Sequence, residues 1–69
     1  MATLDAIGVT AGLVWRLLEA SGKSSITAIE KGVDAPRALV YMALGWLARE
    51  GKVVLAEEER STQVKLSGR

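Results

Sequence analysis

The chain contains no cysteine, no histidine and no phenylalanine, one proline, and only three aromatic side chains, Trp15, Tyr41 and Trp46, among its 69 residues. Without cysteine, neither a disulfide nor a thiolate-bound zinc can hold it together, and the redox compartment leaves no mark beyond compatibility with the cytosol. Without histidine or cysteine, the most common general base and the softest nucleophile are both missing. No glycine-rich loop of the P-loop or dinucleotide type occurs, so no cofactor is implied. Ser24, Ser25 and Ser61 have no base nearby in the sequence, and capping or turn roles account for them. A chain this short also offers little concave volume for a small-molecule substrate, so enzyme activity is not expected. The run Glu57–Glu59 lacks the further ligands a metal ion needs and reads as a solvated loop.

An excess of charge of one sign is lacking too. Nine basic residues stand against eight acidic ones, a net charge of +1, so the strongly basic surface of a typical nucleic-acid binder is absent. The balance is uneven: residues 1–34 carry three basic and four acidic groups, and residues 35–69 carry six and four, a mild basic bias toward the C-terminal half. The uncharged runs Ala6–Trp15 and Ala38–Ala48 fall short of the roughly 20 residues a membrane span requires. No basic leader precedes the first of them, so a soluble cytoplasmic protein is expected.

Apolar residues, by contrast, are abundant. They make up 49% of a chain so small that folding hides only about 60% of the surface its unfolded form exposes. A core of this size supplies no more than about 3–5 kcal/mol. Self-association is an attractive source of further burial, and a homodimer is expected.

The apolar residues are arranged with helical and then strand periodicity. Ile7, Ala11, Val14 and Leu18 recur on one face of a helix over about 7–20, which Gly22 stops. Gly8 and Gly12 lie four apart on it, a spacing expected to serve close packing. Ser24 or Ser25 can cap a second, short helix over about 25–32 that turns Ile26 and Ile29 inward and ends at Gly32. Asp34 is the expected cap of a third helix over about 36–50, with Pro36 inside its first turn. Val40, Ala43, Leu44 and Leu47 form its inward face and Gly51 closes it. The period then becomes two: Val53 and Leu55 alternate with Val54 and Ala56, and Thr62, Val64 and Leu66 with Gln63 and Lys65. These runs predict an antiparallel hairpin with strands over about 53–57 and 62–66. The connection contains no Gly, Asn or Asp, so a longer loop is expected there.

The junction Ala43-Leu44-Gly45-Trp46-Leu47-Ala48-Arg49-Glu50-Gly51-Lys52, passing from helix through a glycine stop into a ribbon, is how a winged helix-turn-helix leaves its third helix. The predicted fold is therefore α+β: three helices followed by a two-stranded antiparallel wing, one domain spanning residues 1–69. The junction, together with Ile7-Gly8-Val9-Thr10-Ala11-Gly12-Leu13-Val14-Trp15-Arg16-Leu17-Leu18, resembles a family of small bacterial and archaeal winged-helix proteins of uncharacterised function. The resemblance covers nearly the whole chain. It implies helix–helix–helix–hairpin and a homodimer, and it brings no established activity. Members of that family tend to have a glycine in the wing turn, where this chain has Glu58-Glu59-Arg60.

Winged helices that read DNA lay the third helix in the major groove, where base contact needs Arg, Lys, Asn or Gln on the outward face. Here that face carries Arg37, Ala38, Tyr41, Met42, Gly45, Ala48 and Arg49, with Trp46 at its edge. Arg37 and Tyr41 are the candidate readers, and Arg49, Lys52, Arg60 and Lys65 the candidate phosphate contacts, opposed by Glu57–Glu59 at the wing tip. The same face also reads as an interface: Ala38, Tyr41, Met42, Gly45, Trp46 and Ala48 form a smooth apolar strip, with Trp15 as a further anchor. An alternative places Met42 and Trp46 beneath the wing as core, and Trp15 at the core's rim. Two functions are thus expected: an ancillary DNA-binding regulator with weak, mainly nonspecific affinity, or a protein-interaction module that has left DNA.

Overall fold

A computed structural model describes residues 3–68. Helix α1 spans Leu4–Ser21, strand β1 Ser24–Ser25, helix α2 Ile26–Gly32, helix α3 Arg37–Arg49, strand β2 Val53–Glu58 and strand β3 Ser61–Leu66. Helix α1 starts a turn earlier than its apolar periodicity marks, because Thr3 accepts a hydrogen bond from the amide of Ala6 at 3.1 Å and so satisfies one of the free N–H groups of the first turn. Ser25 does the same for α2, accepting from the amide of Ala28 at 3.1 Å. Asp34 does not cap α3. Pro36 holds that position in an extended conformation with no side-chain cap, and its own carbonyl accepts the first helical bond from Val40. At the other end of α3, Gly51 takes φ +73°, so that its amide reaches Ala48 and the amide of Lys52 reaches Leu47, which closes the last turn.

The wing is the antiparallel pair β2–β3, from Val53 opposite Leu66 to Glu58 opposite Ser61. That register leaves Glu59 and Arg60 as a two-residue connection, shorter than the loop expected from the absence of turn-forming residues. Neither residue adopts positive φ, so the turn avoids the left-handed geometry that would have called for Gly or Asn. The sheet also has a third strand. Ser24 and Ser25 pair with Val64 and Gln63, so β3 is central and the strand order is β1-β3-β2.

The core lies between α1, α2, α3 and the inner face of the sheet, around Val14, Leu18, Ile29, Val40 and Val64, which are the largest fully buried side chains. Thr10 is the one buried polar side chain among the described residues, and its hydroxyl donates to the carbonyl of Ala6 at 2.7 Å. Leu55 shares a sheet face with Val64 yet remains exposed, since β2 is the outer strand and its far half projects beyond the helices. None of the described helices is long and apolar enough to cross a membrane.

Candidate functional site

The surface where a winged helix would meet DNA is built from α2, α3 and the wing. Helices α2 and α3 are joined by a short link over residues 33–36, which brings Glu30 of the shorter helix against the first two turns of the longer one. Glu30 occupies both candidate readers. Its Oε2 accepts a hydrogen bond of 2.7 Å from the Tyr41 phenol, and its Oε1 pairs with Nε of Arg37 at 3.1 Å. The Glu30 side chain is largely covered, whereas that of Arg37 is 75% exposed, so the carboxylate is the fixed member of the trio. The hydrogen bond to Glu30 raises the Tyr41 pKa above its ordinary 10.0; desolvation and the charge of Glu30 add to the rise, and Arg37 opposes it.

The four candidate phosphate contacts are scattered around the molecule. Arg49 is exposed in the last turn of α3, where a cation complements the carbonyl end of the helix. Lys52 lies 3.6 Å from Glu50 and lines a groove between α1 and α3, away from Glu30. Arg60 sits in the wing turn beside the start of α2, next to Glu57 and Glu59. Lys65 borders a hollow with Glu19, Gly22 and Lys23 at the far end of α1. The acidic run is divided as well: Glu57 accepts from the Thr62 hydroxyl at 2.9 Å, Glu58 pairs with Lys23 at 3.0 Å, and Glu59 occupies the turn. Among the described residues no three His, Cys, Asp or Glu side chains converge as a metal site would require.

The apolar strip is largely present on the surface. Ala38, Tyr41, Met42, Gly45 and Trp46 are exposed, which places Met42 and Trp46 outside the core. Ala48 departs from the outward set, being partly buried against the core, as is Trp15. The groove between α1 and α3, about 480 Å³, is walled by Trp15 and Trp46 and bordered by Gly8 and Gly12. A methyl group built on either glycine meets open space, so neither serves the close packing within the chain that their spacing suggested. The residue that sequence reasoning missed is Glu30. It is eleven positions from Tyr41 and belongs to another helix, and nothing in the local pattern distinguishes it from a solvated glutamate.

The arrangement has close relatives in shape. The solution NMR structure of protein BT2368 from Bacteroides thetaiotaomicron superposes with a TM-score of 0.82 at 31% identity, over 93% of this chain and 78% of that one. The crystal structure of AF1382 from Archaeoglobus fulgidus shares the fold at a TM-score of 0.64 and 16% identity, over 99% of this chain and 74% of that one. In sequence, the uncharacterized protein MJ1608 of Methanocaldococcus jannaschii is 40% identical over 65 residues, 87% of this chain and 89% of that protein. The model of the winged helix-turn-helix domain family DUF2582 matches residues 1–66, and the chain belongs to that family.

Proposed function

We propose that this protein is a non-enzymatic, homodimeric winged-helix module that uses the outward face of α3 for protein contact and has at most weak, nonspecific affinity for DNA. The observation that carries the reading is the Glu30 carboxylate bound to both Arg37 and Tyr41. A base edge or phosphate approaching the first turns of α3 would meet the negative charge of Glu30 beside Tyr41, whose hydroxyl hydrogen bond that carboxylate already accepts, and beside Arg37, whose Nε it already holds. Beyond them the face turns apolar, with Met42, Gly45 and Trp46 exposed, a composition typical of protein interfaces.

The nucleic-acid reading keeps one observation in its favour: Arg49 and Arg60 are both exposed, at the end of α3 and the tip of the wing. Fluorescence anisotropy with a labelled random duplex at low salt separates the two. The proposed function predicts binding too weak to saturate, which falls further in the double variant Lys52→Glu/Arg60→Glu as a purely electrostatic contact must. Tight binding abolished by that variant would favour the nucleic-acid reading.

A further inference from the structure

The outward face of α1 has no covering among the described residues. Its inward face is taken up by Ala11, Val14 and Leu18, while Asp5, Val9, Gly12 and Arg16 follow one another along the opposite side at the same helical spacing, flanked by Gly8 and Leu13. Val9 is 67% exposed and Leu13 36%. Between Asp5 and Arg16 this face carries no charged side chain, and the one hydroxyl of the stretch, on Thr10, is buried. A surface helix of an isolated domain places charges there.

We infer that this face is the homodimer interface, in which α1 packs antiparallel on α1 of a second copy about a two-fold axis between residues 10 and 11; the inference rests on the dimeric part of the proposed function and assigns its surface. The self-complementarity lies in the order of the residues. An antiparallel pairing about that point sets Val9 opposite the partner's Gly12, Leu13 opposite the partner's Gly8, and Asp5 opposite the partner's Arg16. Each exposed apolar side chain thus meets a position with no side chain, and the space beside both glycines is open. Each end of the strip meets a charge of opposite sign, and both matches repeat by symmetry, as an isologous contact demands.

The outward face of α3 fails the same test. Arg37 and Arg49 stand at its two ends, so antiparallel self-pairing would bring like charges together. A stable interface covers about 800 Å² on each partner, roughly a sixth of the 4652 Å² that the domain exposes. Helix α1, with 18 residues, is about 27 Å long and about 10 Å across, which supplies about a third of that. Grooves on its two flanks, about 480 Å³ beside Trp15 and Trp46 and about 360 Å³ beside Pro36 and Leu39, extend that apolar surface on both sides.

Sedimentation equilibrium on the intact chain, with NMR spectra to verify folding of each variant, tests the assignment. The wild type is expected to be a dimer, and Val9→Glu, at an exposed site, a folded monomer. Asp5→Arg and Arg16→Asp should each weaken association by about tenfold, since both symmetry-related ion pairs become repulsive. The double variant Asp5→Arg/Arg16→Asp should restore it, which no effect on the separate protomers would do. A dimer indifferent to Val9→Glu, or single charge reversals that the double variant fails to rescue, would overturn the α1 interface while leaving a homodimer in place. A wild-type monomer at millimolar concentration would overturn the homodimer itself.

Discussion

The phenol of Tyr41 on α3 donates a 2.7 Å hydrogen bond to Glu30 on α2, and the second oxygen of the same carboxylate holds Arg37. This contact joins the two helices of the helix-turn-helix on its solvent side, at the point where a DNA-reading member of the fold would present its readers. Glu30→Gln removes the charge and keeps the shape. The Tyr41 pKa should then fall toward its ordinary value, which spectrophotometric titration can follow without interference because the chain has a single tyrosine. The variant should also release Arg37, strengthening duplex binding and steepening its salt dependence by about one further phosphate contact.

The same contact gives a pH signature. A folded-state pKa raised above the unfolded value means that the protonated phenol is favoured by folding. The contribution to stability is therefore complete below about pH 10 and is lost as pH rises through the folded pKa. Chemical denaturation across the alkaline range should show this decline in the wild type and a smaller one in Glu30→Gln.

Leu18 is 2% exposed at the centre of the core. Leu18→Ala should cost about 2–5 kcal/mol. That is comparable to the whole of what a core of this size supplies, about 3–5 kcal/mol. The variant is expected to be largely unfolded at room temperature by circular dichroism.

Gly45 lies in the exposed middle of α3, and a methyl group added there meets open space. Gly45→Ala should stabilise the fold by about 0.5–1 kcal/mol, because the unfolded chain loses freedom and nothing is crowded in the folded one. Thermal unfolding should shift upward by roughly 4–8 °C for each kcal/mol gained.

Much of this architecture was legible from spacing alone. Val14, Leu18, Val40, Ala43, Leu44 and Leu47 recur at helical intervals and are buried, and Gly22 and Gly51 mark the ends of their helices with positive φ. Features that depend on partners distant in sequence were not legible. Ser24 and Ser25 form a strand only because β3 lies beside them, and two polar residues carry no alternation to read. Leu55 fits the inward phase of its strand but lies on the outer strand of the sheet, beyond the cover of the helices. The cap of α3 was misplaced by two residues because Pro36, with φ fixed near −57°, can itself serve as the extended residue that precedes a helix. At the candidate site the outward residues of α3 were readable as a face, except Ala48. The carboxylate that restrains two of them comes from a different helix, and only the folded chain brings it there.

The most direct test of the proposed function is an NMR titration of isotope-labelled protein with a random DNA duplex, at about 50 mM and then about 200 mM salt. The Glu30-restrained surface predicts resonances of Arg37, Tyr41 and the wing that barely move at the lower salt. Large shifts at those residues, weakening steeply at the higher salt, would contradict it and identify a phosphate-driven nucleic-acid binder.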